Sequence, residues 1–223
     1  MSRCVVGVLD YGAGNLKSVQ HALEHCGAEV TVIGRARELS RVTHLVLPGV
    51  GAMATAMSFL MGTGLDLEIQ QFAAGSDRPI LGICLGMQML ATRGVEGGSV
   101  GGLNILGGVV EPVPHNFDVP WNKTPRIGWM GVAPGPNQES FPGRLLPSSN
   151  PDSKYYFAHS FHLIPDDRSV ISAVVSGDPA EVVAAVQHGN VYGTQFHPEK
   201  SGVLGLAVLR RFLEGAEFQG VVA

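Results

Sequence analysis

Short apolar segments alternate with helical patterns along the first part of the chain, and this alternation constrains the fold more than any other feature. Four apolar segments end at a glycine, aspartate, proline or cysteine and are predicted to be strands: residues 4–9, 30–33, 44–47 and 80–83. Strands that are apolar along their whole length are typical of a parallel sheet buried on both faces by helices. The sequence therefore predicts an α/β fold with a mostly parallel sheet.

Helical periodicity fills the intervals between these strands. Leu16, Val19 and Leu23 recur at helical spacing after the first strand. Met53, Met57, Leu60 and Met61 form a second stripe, which we interpret as core rather than as a special methionine function. A helix is also predicted over residues 85–91, and a last one over 203–214. From residue 94 to 151 we expect loops and antiparallel strands added to the main sheet. Further strands are predicted at residues 155–157, 170–175, 182–186 and 191–194.

Composition limits the class of protein. The 223 residues are 45% hydrophobic and only 15% charged, which is enough apolar material for one large core. No linker or repeat divides the chain, so we predict a single domain over residues 1–223. The net charge of −4 argues against nucleic-acid binding. No segment is typical of a signal peptide or a membrane span, and the three cysteines form neither a disulfide framework nor a zinc pattern. We expect a cytoplasmic protein without a metal.

The segment Gly82-Ile83-Cys84-Leu85-Gly86 lies where the fourth strand is predicted to turn into a helix. It is the thiol counterpart of the Gly-x-Ser-x-Gly nucleophile elbow, in which flanking glycines let the backbone turn sharply below the reactive side chain. The N-terminus of the following helix favours a thiolate at Cys84, and the Leu85 N–H is placed to donate to an oxyanion. The alternative interpretation is an ordinary buried cysteine.

A nucleophilic cysteine needs a base, and His197 in Phe196-His197-Pro198-Glu199 is the best candidate. Extended residues at i and i+2 face the same side, so Glu199 is expected to hold one imidazole nitrogen while the other addresses Cys84. His159 and His162 are three residues apart on a predicted strand. Because this spacing places them on opposite faces, a metal site there is disfavoured.

Two glycine-rich turns follow predicted strands. Gly49-Val50-Gly51 comes after the third strand, and its backbone amides can turn toward a bound ligand, although a plain tight turn is the alternative. Gly12-Ala13-Gly14 superficially resembles a dinucleotide-binding turn. Lys17 occupies the place of the third glycine, and the second strand carries no acid, so a nucleotide cofactor is disfavoured and no cofactor is predicted.

Five ordered motifs together resemble the class I, or triad-type, glutamine amidotransferases. They are Asp10-Tyr11-Gly12-Ala13-Gly14-Asn15-Leu16, Leu47-Pro48-Gly49-Val50-Gly51, Gly82-Ile83-Cys84-Leu85-Gly86-Met87-Gln88, Tyr156-Phe157-Ala158-His159-Ser160-Phe161 and Gln195-Phe196-His197-Pro198-Glu199-Lys200-Ser201. The first motif and the Lys-Ser pair are similar to those of the HisH group, the glutaminase subunits of imidazole glycerol phosphate synthase. The resemblance covers residues 5 to 213 and implies one amidotransferase domain with a flavodoxin-like three-layer fold and additional antiparallel strands.

The resemblance also implies a reaction and a partner. Cys84 would attack L-glutamine, with His197 and Glu199 completing the triad. The Leu85 amide and an amide of Gly49, Val50 or Gly51 would stabilise the oxyanion. The substrate-binding residues would be Gln88, His159, Ser160 and Phe161. Ammonia would pass to a HisF-type (β/α)8 cyclase in a heterodimer, which makes imidazole glycerol phosphate and AICAR in histidine biosynthesis.

One segment departs from the family pattern. Pro125-Arg126-Ile127-Gly128-Trp129-Met130 carries Arg126 and Met130 where the family usually has His and Asn. Two alternatives therefore stay open: a related amidotransferase that supplies ammonia to another acceptor, such as a sugar amidation enzyme, and a non-catalytic binding subunit on the same fold. The presence of Cys84, His197 and Glu199 together argues against the second.

Overall fold

The structure is a computed structural model that describes residues 4–12, 15–75, 78–114, 124–135, 138–147 and 153–214. Ala13 and Gly14 of the first motif lie outside the described residues. The helices are α1 (Leu16–His25), α2 (Met53–Thr63), α3 (Leu65–Ala74), α4 (Leu85–Met89) and α5 (Gly202–Glu214). The first strands are β1 (Val5–Leu9), β2 (Glu29–Ile33), β3 (His44–Leu47), β4 (Ile80–Ile83), β5 (Arg93–Gly94), β6 (Val100–Gly101) and β7 (Gly108–Pro112). The others are β8 (Arg126–Pro134), β9 (Lys154–His159), β10 (Phe161–Pro165), β11 (Ile171–Val175), β12 (Val183–His188) and β13 (Val191–Thr194).

A large mixed sheet organises the described part of the chain. Its strand order is β2-β1-β3-β4-β13-β12-β11-β8-β9. The first five strands in this order, β2, β1, β3, β4 and β13, run parallel to one another. The other four, β12, β11, β8 and β9, extend the sheet in antiparallel fashion. A smaller sheet has the order β10-β7-β5-β6. The predicted α/β class, with a mostly parallel sheet and added antiparallel strands, is confirmed.

Helices cover both faces of the main sheet. Val19 and Leu23 of α1 and Phe212 of α5 belong to one hydrophobic cluster. Leu60 of α2 and Ile69 of α3 belong to the cluster that contains the side chains of the other face. Each of these five side chains is nearly or fully buried, and burying one such side chain contributes about 1.5–3 kcal/mol. The three layers hold the carboxyl ends of the parallel strands along one edge.

Several local predictions need correction. Met61 was expected in the buried stripe of its helix, but its side chain is 66% exposed because it lies at the edge of the face formed by Met53, Ala56, Met57 and Leu60. Gly64, with φ +70, ends α2 and starts α3, a helix that the sequence analysis did not predict. The helix expected over residues 85–91 ends at Met89.

The histidine pair lies differently from the expectation. His159 ends β9 and His162 lies in β10, because the chain changes strand at Ser160. No group of three or more potential ligands in the described residues is placed to hold a metal ion. No described helix combines the length and apolar character needed to cross a membrane.

Candidate active site

Cys84 lies at a strained turn between β4 and α4. Its backbone has φ +52 and ψ −105, a conformation that residues with a Cβ rarely adopt and that costs on the order of 1–3 kcal/mol. The turn is held from both sides: the Cys84 N–H donates to the Thr194 carbonyl at 2.7 Å, and its carbonyl accepts from the Gln88 N–H at 3.2 Å. The predicted placement of Cys84 between a strand and a helix is confirmed.

The two glycines of the elbow are required by close packing. A Cβ atom at position 86 would overlap the Leu47 carbonyl oxygen of the neighbouring strand β3. A Cβ atom at position 82 would lie 2.6 Å from the backbone of Gly86 and Met87. The absence of side chains at these two positions therefore lets α4 sit directly on the sheet edge and fixes where Cys84 projects.

His197 reaches the same edge from the adjacent strand. Strands β13 and β4 are parallel neighbours, with Thr194 paired to Ile83, so the residues that follow them meet. The His197 N–H donates to the Tyr156 carbonyl at 2.8 Å, and the Ser201 hydroxyl donates to the His197 carbonyl at 2.6 Å. These two bonds fix the backbone that carries the imidazole.

The His197 ring is paired with Glu199. Nδ1 lies 2.9 Å from the Glu199 Oε1, and the two side chains are only 2% and 1% exposed. Nε2 makes no hydrogen bond of normal geometry with the described residues. Burial lowers the pKa of His197, but its interactions with Cys84 and Glu199 outweigh burial and raise the pKa to about 9. Near neutral pH the ring is therefore protonated.

A cavity of about 220 Å³ opens in front of Cys84. Its lining includes eight residues predicted for the site: Val50, Gly51, Cys84, Leu85, Gln88, His159, Ser160 and Phe161. Four further residues line it: Glu96, Pro125, Ile127 and Ala158. The last three belong to segments that the resemblance places near the site, and Glu96 was not predicted. His197 and Glu199 are not among the lining residues, and Gly49 instead packs against Leu85 and Gly86.

Two glutamine side chains connect the elbow to the neighbouring strands. Gln88 is 6% exposed, which rules out a solvated helix residue, and its Nε2 donates to the Phe161 carbonyl at 2.8 Å and to the Gln195 Oε1 at 3.1 Å. The Gln195 Nε2 in turn lies 3.6 Å from the Cys84 sulfur. Gln195 was quoted as part of a motif, but its position in the sequence alone did not indicate this contact.

Glu96 supplies a carboxylate to the cavity. Its Oε2 accepts a hydrogen bond from the Met53 N–H at 3.0 Å, at the N-terminus of α2. Glu96 belongs to the segment predicted to form loops and antiparallel strands, where an isolated acid does not indicate a binding site. The fold brings Glu96 to the cavity because β5 joins the smaller sheet immediately before it.

His159 lines the cavity as a neutral side chain, and Arg126 is neutralised by an ion pair. The His159 Nδ1 lies 2.8 Å from the Phe161 carbonyl, and burial, together with weaker effects that include nearby positive charge, lowers the pKa of His159 to about 4. Arg126 pairs with Asp178 in an almost fully buried ion pair. The guanidinium that replaces the usual family histidine thus points into the protein and is neutralised there.

Comparisons with known proteins agree with this geometry. The family model described as glutamine amidotransferase class-I matches residues 7–215. Among solved structures, one described as a glutamine amidotransferase superimposes with a TM-score of 0.72 at 22% identity, covering 95% of this chain and 98% of that chain. The chain therefore belongs to the class I glutamine amidotransferase family.

Curated relatives give a finer comparison. The chain is 39% identical over 210 residues to imidazole glycerol phosphate synthase subunit HisH 1 of Legionella pneumophila (strain Paris), covering 94% of this chain and 98% of the relative. It is 41% identical over 211 residues to subunit HisH of Geobacillus thermodenitrificans, covering 94% and 95%. It is 37% identical over 215 residues to the chloroplastic hisHF protein of Arabidopsis thaliana, covering 95% of this chain but 34% of that longer one.

Proposed function

We propose that the chain is the glutaminase subunit of imidazole glycerol phosphate synthase. It hydrolyses L-glutamine to glutamate and ammonia and passes the ammonia to a cyclase subunit of the HisF type. The observation that carries this proposal is the 39–41% identity to HisH proteins over 94% of the chain. Cys84 at the cavity, with the buried His197–Glu199 pair on the neighbouring strand end, supplies the chemistry that the proposal needs.

The first half of the reaction forms a thioester. The Cys84 thiolate attacks the side-chain amide carbon of glutamine, and the carbonyl oxygen becomes an oxyanion. The Leu85 N–H and an amide of the Gly49–Gly51 loop stabilise this oxyanion, each such donor contributing about 2.7–4 kcal/mol. His197 gives its proton to the departing nitrogen, the C–N bond breaks and ammonia leaves.

The second half hydrolyses the thioester. His197, now neutral, takes a proton from a water molecule, whose oxygen attacks the thioester carbon. The C–S bond then breaks, glutamate is released, and the thiolate–imidazolium pair is restored. Glu199 holds Nδ1 and stabilises the imidazolium, which is present before the first half-reaction and is restored by the second.

Polar lining residues of the cavity suit the charged and polar groups of the substrate. The Glu96 carboxylate is the charged group among the lining residues, and it suits the α-ammonium group of glutamine. Among the other lining residues, Ser160 and the neutral His159 can accept or donate hydrogen bonds. Gln88 acts indirectly, because its Nε2 is already bonded to Phe161 and Gln195 and so holds them in place.

The surface around the cavity suits a partner. Ile127 lines the cavity and is 62% exposed, and Trp129 on the same strand is 55% exposed. Large apolar side chains beside a reactive site are typical of a surface that another subunit covers. We propose that the cyclase covers this surface and so keeps the ammonia out of the solvent.

The position of Arg126 gives no support to a different acceptor for the ammonia. The departure at this position first suggested another partner, but the guanidinium is buried with Asp178 and is not part of the exposed surface of β8. We therefore retain the cyclase as the proposed acceptor.

The test measures glutamate release by the purified chain with a HisF-type cyclase and its ribulosyl substrate. Cys84→Ala should abolish the release, whereas Cys26→Ala should retain it. Cys26 is a matched control because its half-buried thiol lies near the Leu206 carbonyl, and burial raises its pKa. Unchanged release from Cys84→Ala, or no release from the unmodified pair, would contradict the proposal.

A further inference from the structure

A second cysteine lies beside a histidine, away from the cavity. The Cys4 Sγ is 3.3 Å from the His44 Nδ1, although the two residues are 40 positions apart in the chain. Cys4 immediately precedes β1 and His44 begins β3, so both lie at the amino ends of parallel strands. Cys84 follows the carboxyl end of β4, which is parallel to β3 in the same sheet. The Cys4–His44 pair therefore lies at the opposite edge of the sheet from the proposed nucleophile.

Strand pairing fixes the backbone on both sides of this pair. The Cys4 carbonyl accepts a hydrogen bond from the Glu29 N–H at 3.0 Å, and the Val5 carbonyl accepts one from the Thr43 N–H at 2.8 Å. The Thr43 hydroxyl also contacts the His44 Nδ1 at 2.9 Å. The thiol and the imidazole are thus held together by the sheet itself.

The imidazole is the shielded member of the pair. His44 is only 2% exposed, and its ring packs edge-to-face against the Phe212 ring with a centroid distance of 5.3 Å. Burial lowers the pKa of His44 to about 4, so the ring is neutral near pH 7. A neutral imidazole has one nitrogen that can accept a proton. Cys4, in contrast, is only partly buried, which leaves its side of the pair open to a small molecule.

Cys26 provides a comparison within the same chain. It is also partly buried, but its Sγ lies 3.6 Å from the Leu206 carbonyl oxygen. A carbonyl oxygen accepts a hydrogen bond from the thiol and so keeps the proton on the sulfur, and burial raises the pKa of Cys26. Reactivity of a thiol follows its thiolate character. Cys4 and Cys26 therefore differ in the group beside the sulfur while both are partly buried.

We propose that Cys4 is a site of oxidation by hydrogen peroxide, with His44 as the group that moves the proton. The sulfur attacks one peroxide oxygen while the thiol proton passes to Nδ1, so the S–O bond forms and the O–O bond breaks. The departing oxygen takes this proton from the imidazolium and leaves as water. Cys4 becomes a sulfenic acid, with the sulfur oxidised by two electrons and the peroxide reduced by two. This modification site is separate from the glutaminase chemistry.

The test exposes the purified chain briefly to hydrogen peroxide and traps sulfenic acids with dimedone. Trypsin places Cys4 and Cys26 in separate peptides, residues 4–17 and 18–35, so mass spectrometry measures each site independently. We expect oxidation at Cys4 to be about 10²-fold faster than at Cys26, which is the order of the effect of a positioned acid–base group. A ratio below about tenfold, the effect of one unit of thiol pKa, would overturn the proposal.

His44→Gln separates the role of the imidazole from that of exposure. The variant lacks the proton acceptor, so the ratio of Cys4 to Cys26 oxidation should fall by about tenfold or more. His188→Gln is the matched control, because His188 is exposed at the end of β12 and should leave the ratio unchanged.

The ratio also guards against a loss of structure. A loosened fold would raise the oxidation of Cys26 together with that of Cys4, so the two sites are read in the same sample. An unchanged ratio in His44→Gln would overturn the role of His44. The comparison of Cys4 with Cys26 in the unmodified chain tests the site even where this variant does not fold.

Discussion

At the scale of single residues, the proposed reactivity of Cys84 depends on the pairing of His197 with Glu199. The carboxylate is buried beside the imidazole and holds Nδ1 at 2.9 Å. Burial alone would lower the pKa of His197, yet the pKa is raised to about 9 because Cys84 and Glu199 both favour the protonated ring. Removing one of the two partners should therefore change both the rate and its pH dependence.

Glu199→Gln tests this directly. The amide keeps the size of the side chain but removes its charge, so the pKa of His197 should fall. The thiolate–imidazolium pair persists only below that pKa, and the alkaline limb of the kcat/KM profile should therefore move to lower pH. We expect kcat to fall by up to about 10⁴-fold, measured as glutamate release from pH 6 to 10.

The pH profile separates this role from a structural one. A variant that is merely less well folded would lose activity evenly across the pH range. An alkaline limb at the same pH as in the unmodified chain would show that Glu199 does not set the pKa of His197.

At the scale of elements, the elbow depends on how closely α4 approaches β3. Gly86 allows this approach because a Cβ atom there would overlap the Leu47 carbonyl oxygen. Backbone atoms on both sides cannot move aside as a flexible side chain could. A change in this contact should therefore alter both the stability of the fold and the position of Cys84.

Gly86→Ala should lower both stability and activity. Overpacking of this kind costs about 1–3 kcal/mol or more, which corresponds to a fall in Tm of roughly 2–12 °C for a chain of this size. Gly101→Ala is the matched control, since no atom lies within 4 Å of a Cβ at that position. Thermal unfolding of both variants is the measurement, and an equal Tm for the two would contradict the close-packing explanation.

The elements also show what could be predicted from the sequence. The parallel strands and the elbow were predictable because apolar runs, helical spacing and glycines are local signals. The long strand β8 was not predictable. Buried and exposed residues do not alternate regularly along it, and it pairs with β9 and β11, which are distant in the sequence. Met61 was misplaced for a related reason: periodicity does not define the edge of a buried face.

At the scale of the whole molecule, the site is assembled from segments far apart in the chain. Cys84, Glu96 and His159 line one cavity because the strands that precede or carry them belong to two neighbouring sheets. His197 follows β13, the parallel neighbour of the strand that precedes Cys84. Motifs identified the triad and most of the cavity wall. They did not identify Glu96 or the contact of Gln195 with Cys84, since both depend on how the smaller sheet and β13 are placed around the elbow.

Ammonia made at Cys84 is proposed to pass to the cyclase rather than to the solvent. The most direct measurement supplies the chain and a HisF-type cyclase with glutamine labelled with ¹⁵N in the side-chain amide, together with excess unlabelled ammonium. The account predicts that imidazole glycerol phosphate carries ¹⁵N well above the isotope content of the ammonium pool. Product whose nitrogen matches the unlabelled pool would contradict it.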